Sequence, residues 1–488
     1  MKNKNIKIGF LLLIIFSFSS CEEWLDVNSD PSFPQEASAE VILPPLFQDM
    51  VRGEAFDSRY FGSYVQNWAR TVANVTEDLH GYYAGSDAIG EKWRQHYWAI
   101  GKNIDLIIDD ATANNKNWYI GVGYAIRAWS WQTSTDVYGE MILDQAWEPN
   151  RYVFDYDTQD KIYVEVVRLC NLALDYLDMD DTSNTLAKGD LVYAGNRDKW
   201  KKFVYAILAR NAHHLTNKSS YDPDEVIGFV DQAMTDNSDN FNVPHLGTNA
   251  DNANFYGPLR ANMANYRQTL FSINLLNGAV FTGVTDPRLA LMFQPSTDAV
   301  YRGAINGAGA TITGPTGIPP LYGKYIYRDN VSVPIFTYSE MQFIKAEAAF
   351  IKGDLATALT AYQNGIRAHM DYVTVSAANR DAYLASTAVA QNTGELTLSH
   401  IMLQKYIAMY GHGILETWVD MRRHHYDAAI YTGFVLPSPL FSFNNGNPAY
   451  RARPRYNSEY VWNIKALEAI GATATDYHTK EQWFSTPE

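Results

Sequence analysis

The sequence predicts an all-α fold in which helix pairs stack into a superhelical scaffold, with an irregular, loop-rich region inserted between them. Three observations predict it. Apolar residues recur at helical spacing over most of the 488 residues. Two stretches, 236–265 and 294–334, break that pattern with Asn, Asp, Gly and Pro. They cannot sustain long helices, because Gly costs backbone entropy and Pro removes a donor. Finally, 339–372 reads as two helices joined at Gly353-Asp354. Apolar residues at 47% and charged residues at 19% suit a globular chain with ample core, excluding disorder and a disulfide scaffold. Lys and Arg number 39 against 54 Asp and Glu, a net charge of −15 that argues against a nucleic-acid binder. With 33 Tyr, 22 Phe and 12 Trp, rings can fill a core and still reach the surface.

At the N-terminus, Lys2, Lys4 and Lys7 precede the apolar run Ile8–Phe18, too short to span a bilayer but suited to a secretory signal. Ser19 and Ser20 stand directly before Cys21. This resembles a bacterial lipobox, in which cleavage exposes the cysteine and acyl chains such as palmitate are attached. Two chains anchor stably where one does not. The expected organisation is a signal peptide over 1–20, a lipidated extended leader over 21–34, and a single domain over 35–488.

Helices are predicted near 38–52, 91–113, 118–137, 157–177, 198–216, 223–235, 339–352, 354–372 and 398–420. The helix pairs thus occupy about 91–236 and 339–424, and the loop-rich region about 236–338. Cys170 falls on the apolar stripe of 161–177 and is expected to be buried without a disulfide partner. In 339–372, Phe343, Ala346, Ala349 and Phe350 share one face, while Ala358, Tyr362 and Ile366 face back. This unit resembles a tetratricopeptide repeat, although the Trp and Gly of that repeat's first helix are absent. The pairs 118–137 with 157–177 and 198–216 with 223–235 read as degenerate copies. No pair buries its apolar face alone, so three or four must stack, as a right-handed superhelix in tetratricopeptide-like arrays.

Catalytic spacings are sparse. The chain has no HExxH, GxSxG, P-loop or CxxC, and Gly121-Val122-Gly123 lacks the third glycine and the preceding strand of a nucleotide turn. Asp26–Asp30 begins like a calcium loop, but Pro31 and Ala37 replace the Gly and Glu it needs. His213-His214 and His424-His425 are adjacent and point to different helix faces, so no metal site and no cofactor is expected. In 416–423, Trp418 and Arg422 share a face, as do Glu416 and Asp420. With Arg423 they read as a structural network closing a helix end rather than as an anion site.

Motifs in order along the chain resemble the SusD/RagB family of outer-membrane lipoproteins. They are Thr135-Asp136-Val137-Tyr138-Gly139, Gly189-Asp190 with Lys199-Trp200, Thr285-Asp286-Pro287-Arg288-Leu289, Thr337–Glu340 with 343–348, 404–408, 416–423 and 450–456. Glu140-Met141-Ile142 departs from the family's usual Asp/Pro-containing ending, so the ligand is not inherited. The resemblance implies four tetratricopeptide-like helix pairs beside an irregular ligand-bearing region. It implies a non-catalytic protein at the cell exterior, anchored in the outer membrane by its N-terminal lipid. That protein captures oligosaccharides and delivers them to a SusC-like TonB-dependent transporter. Alternatives are a peptide-binding RagB-like lipoprotein, a lipid-anchored enzyme of the same pathway, and a pure assembly scaffold.

Sugar rings present apolar C–H faces, so aromatic platforms with nearby polar groups are what a glycan site requires. The candidates are Tyr82, Tyr83 and Trp93 from an early segment, and Tyr256, Tyr322, Tyr325 and Tyr327 from the loops. Asn254, Arg260 and Arg328 are the polar groups expected to meet hydroxyls. Tyr97 is expected in the core, since aromatic i,i+4 spacing with Trp93 marks a buried helix face.

Overall fold

A computed structural model describes residues 37–83 and 85–487; the expected signal peptide, Cys21 and leader lie outside the described residues. The chain opens with α1 (Ala39–Tyr64) and β1 (Trp68–Arg70). Helix α1 runs beyond the predicted stop at Arg52, because Gly53 stays helical against Gln95 while Phe61 and Tyr64 reach the core. The helix predicted over 91–113 is α2 (Glu91–Arg94), a π-helical turn (Gln95–Ile100) and α3 (Gly101–Ala113). The first hairpin is α4 (Asn117–Tyr138) with α5 (Gln159–Asp178). After α6 (Leu186–Gly189), the second is α7 (Arg197–His213) with α8 (Pro223–Gln232).

The loop-rich region contributes β2 (Phe241–Val243), β3 (Tyr266–Gln268), α9 (Leu270–Asn274), α10 (Leu289–Met292) and β4 (Val333–Phe336). The third hairpin is α11 (Tyr338–Lys352) with α12 (Leu355–Tyr372), followed by α13 (Ala377–Leu384). The single helix predicted over 398–420 is two, α14 (Leu398–Met409) and α15 (Ile414–Arg423). The break falls at Gly411, whose φ of +81° is left-handed and costs a glycine nothing. Its N–H donates to Asn67 Oδ1 at 2.7 Å, fixing the turn against the end of α1. A π-helical turn (Tyr456–Tyr460) and α16 (Ile464–Ala469) follow.

Side-chain caps start the helices of the second and third hairpins where the spacing predicts them. Asn196 and Asp222 accept from the first N–H groups of α7 and α8, and Thr337 and Asp354 do so for α11 and α12. Helix α5 then packs on α7, α8 on α11, and α11 on α14, so the pairs share a continuous core. Cys170 lies in it, fully buried, and burial pushes its thiol pKa up. The loop-rich region is sewn to this scaffold rather than hung from it. Strand β1 pairs antiparallel with β3, Trp68 opposite Gln268, and β2 pairs with β4, Phe241 opposite Phe336.

Between α7, α11, α14 and α15 lies a buried ion network. Arg210 meets Glu340 at 2.5 Å and Glu416 at 3.2 Å. Lys405 bridges Glu416 at 3.2 Å and Asp420 at 2.8 Å. Arg423 holds Asp420 at 2.7 Å and Glu347 at 3.0 Å, and Glu347 also meets His213 at 2.8 Å and His424 at 2.9 Å. Arg422 takes no part in it. Its guanidinium lies 3.7 Å over the Trp418 ring and donates to the carbonyls of Asp136 at 2.7 Å and Tyr450 at 2.9 Å. Each cation of the network is matched by a carboxylate, whereas burial of Arg422 against carbonyls and a ring lowers its pKa to about 10.

Candidate functional site

The aromatic candidates divide sharply. Tyr256 and Tyr327 are buried, their rings 6.0 Å apart and packed edge-on to Trp68 and each other, so neither offers a face to a ligand. This corrects the expectation of loop platforms there. A loop ring with no helical face of its own still enters a core when its loop is stitched across β1 and α1. Tyr322 is half-buried, its hydroxyl accepting from Met263 N at 3.0 Å. Tyr325 is half-buried beside His412, with 3.2 Å between its hydroxyl and Nδ1. Two of the polar candidates, Asn254 and Arg260, lock loops, whereas Arg328 is exposed. Asn254 donates to the carbonyls of Ile326 at 2.5 Å and Arg328 at 3.1 Å. Arg260 donates to those of Ala253 and Asp251, both at 2.8 Å.

The early segment behaves differently. Tyr82 and Tyr83 border a cleft of about 370 Å³ whose far wall is Arg453, Tyr456, Tyr460 and Ile464. Arg453 stacks 3.8 Å over the Tyr82 ring and donates to the carbonyls of Ala472, Ala474 and Thr475, which fixes that wall. The next cleft, about 490 Å³, is lined by Trp93, Tyr97, Trp98, Trp147 and Phe154. Phe154, Ser458 and Glu459 continue into a third of about 630 Å³, with Tyr152 and Trp462 on its rim. Trp93 is itself buried, so it forms the floor rather than a platform. Tyr97 is only half-buried, short of the core position expected, and its hydroxyl bridges the backbone N–H and C=O of Ile142.

Exposed rings follow the edge of these clefts. Tyr83 is 53% exposed, Trp98 62%, Tyr152 81% and Trp462 73%. Sequence reasoning passed over Trp98, Tyr152 and Trp462. Trp98 lies five residues after Trp93 and off the Trp93/Tyr97 face, within the π-helical turn at 95–100, and is exposed. The available signal for the other two was position, a large ring inside a polar segment.

The charges around the clefts are paired. Arg94 meets Glu91 at 2.9 Å and stacks 4.6 Å over Trp98, while Arg455 meets Asp87 at 2.9 Å. Glu459 accepts from Tyr156 at 2.8 Å and Asn463 at 3.0 Å. It is the one carboxylate among the described residues lining the three clefts. Burial, then the facing Glu459, raises the Tyr156 phenol well above its ordinary range, so it stays a neutral donor. Among the described residues, no group of three or more His, Cys, Asp and Glu could hold a metal ion.

Stacked helix hairpins carrying a rigid, aromatic-edged cleft define a helical-repeat ligand-binding protein. The chain belongs to the SusD-like family: a family model described as starch-binding and associating with the outer membrane matches residues 31–432. Solved structures share the fold. A SusD/RagB family protein from Bacteroides thetaiotaomicron superposes with a TM-score of 0.72 at 21% identity, covering 93% of this chain and 100% of the other. A SusD homolog from Bacteroides uniformis gives 0.73 at 17%, covering 92% and 99%. A chitin-binding SusD homolog from Flavobacterium johnsoniae gives 0.72 at 18%, covering 92% and 99%. No curated protein sequence matches the chain.

The family motifs now have physical roles. Asp286 and Arg288 form a buried pair at 2.6 Å that continues to Gln404 at 2.6 Å. Asp190 accepts from three backbone N–H groups and from Trp200 Nε1. Glu140, at the departure from the family pattern, meets Arg451 of the closing Arg/Pro segment at 2.6 Å. These residues hold the fold, and the rings on the cleft edge lie outside them.

Proposed function

We infer that this protein is a non-catalytic glycan-binding lipoprotein of the outer membrane, anchored through Cys21. It captures oligosaccharides at the cell surface and passes them to a SusC-like TonB-dependent transporter. The observation that carries the reading is the row of exposed rings, Tyr83, Trp98, Tyr152 and Trp462, along adjoining clefts of a SusD-like fold. Sugar C–H faces stack on such rings, and paired arginines and amides beside them meet hydroxyls at fixed angles. Three adjoining clefts suit a chain of several sugars better than a monosaccharide. No helix among the described residues is long and apolar enough to cross a membrane.

The test is calorimetry with malto- and chito-oligosaccharides, the glycan classes suggested by the family description and the chitin-binding relative. Trp98→Ala and Trp462→Ala should each weaken binding by about fivefold or more, the equivalent of about 1 kcal/mol per stacked ring. Unchanged affinity in both variants, or no binding of any neutral oligosaccharide by the wild type, would remove the reading.

A further inference from the structure

A fourth cleft, of about 400 Å³, opens where the loop after α10 meets the end of α12. It shares no lining residue with the three aromatic clefts. Its walls include the rings of Tyr325 and Tyr372, the cations Lys324 and Arg328, and Asn242 and Thr374. The described residues lining it include no Asp or Glu, in a chain whose net charge is −15. Lys324 Nζ donates to the carbonyl of Ala290 and Arg328 Nε to that of Tyr325, both at 3.0 Å. Carbonyl partners position the two cations without neutralising them. Asn242 Oδ1 is buried and meets no hydrogen-bond donor.

The backbone of this cleft is strained. Tyr325 sits at φ 46° and Thr374 at φ 64°, left-handed conformations that residues with side chains, and above all β-branched ones, rarely adopt. Such strain persists where the surrounding structure over-determines it, and it clusters at ligand clamps. Here it turns the Tyr325 ring between His369 and His412, with its hydroxyl 3.2 Å from His412 Nδ1.

We propose that this cleft is a second saccharide site, specific for acidic sugars, whose rings carry a carboxylate or a sulfate. Tyr325 and Tyr372 meet the apolar faces of the ring. Lys324 and Arg328 hold the anionic group, a charge-assisted contact that a neutral sugar does not make.

Calorimetry of the full chain with four probes tests this: glucuronate, glucose 6-sulfate, glucose and inorganic sulfate. The wild type should bind at least one acidic sugar about tenfold more tightly than glucose, as expected of a hydrogen bond to a charged group. Lys324→Gln with Arg328→Gln should abolish that preference, and Arg328→Gln alone, at an exposed position, should reduce it without lowering the melting temperature. Trp98→Ala with Trp462→Ala should leave it intact, so failure of the aromatic clefts and failure of this site are read separately. Equal affinity for glucose and the acidic sugars would overturn the proposal. So would equal affinity for inorganic sulfate, which would define a free-anion site. Loss of the preference in the tryptophan variant would also overturn it, by assigning the acidic sugar to the first site.

Discussion

Arg423 grips Glu347 with both prongs of its guanidinium, Nη1 to Oε1 and Nη2 to Oε2, each at 3.0 Å and both side chains fully buried. The pair joins α15 to α11 across the scaffold, and the same arginine closes on Asp420 at 2.7 Å. Removing Arg423 takes the one permanent cation from Glu347, leaving it only His213 and His424, and takes one of two cations from Asp420. Arg423→Ala should cost about 3–5 kcal/mol, read as an earlier midpoint in urea unfolding. A midpoint within error of the wild type would show that water reaches the pair.

His214 makes stability depend on pH. Burial opposes its imidazolium, but Glu416 at 2.9 Å and Asp136 at 3.4 Å outweigh burial and push its pKa up to about 9. A folded pKa above the unfolded value of about 6.5 gives stability that is complete below pH 6.5 and lost as pH rises through 9. The loss amounts to about 3 kcal/mol. Lys92 works the other way, because burial lowers it to about 8 and stability recovers as it deprotonates in both states. The difference between wild type and His214→Gln isolates the histidine. That difference should shrink between pH 7 and pH 9, and a constant difference would refute the assignment.

Tyr327 and Trp98 should separate folding from binding. Tyr327→Ala empties a site between Trp68, Tyr256 and Tyr410 and should destabilise the protein by about 3–5 kcal/mol. Trp98→Ala removes an exposed ring and should leave stability within about 0.5 kcal/mol while weakening oligosaccharide binding. Thermal melts paired with calorimetry check both, and a stable Tyr327→Ala that fails to bind would return this loop tyrosine to the ligand site.

Cys21→Ala tests the anchor. Without the acylated thiol, membrane fractions should lose the protein, either to the soluble fraction or as unprocessed precursor. Protease shaving of intact cells should degrade the wild type, and full protection would remove the cell-surface assignment.

The sequence by itself determined the three helix hairpins and the family, but not the breaks within 91–113 and 398–420. Periodicity at 339–372 and the Gly353-Asp354 turn are local properties, and they hold in the structure with Asp354 capping α12. The motifs are legible for a related reason: Asp190, Asp286, Arg288 and Arg423 are fixed by specific buried partners, so their types and spacing are constrained. Only the tertiary structure decided which rings face water. Tyr256 sits in an irregular loop and Trp462 in a short helical turn, yet Tyr256 packs against Trp68 beside the β1–β3 pairing while Trp462 is 73% exposed among the described residues. Trp98 neighbours the half-buried Tyr97 in sequence, yet it is exposed while Tyr97 packs against the core. Burial is a property of what lies across from a residue, and for a ring in a loop that neighbour comes from a distant part of the chain.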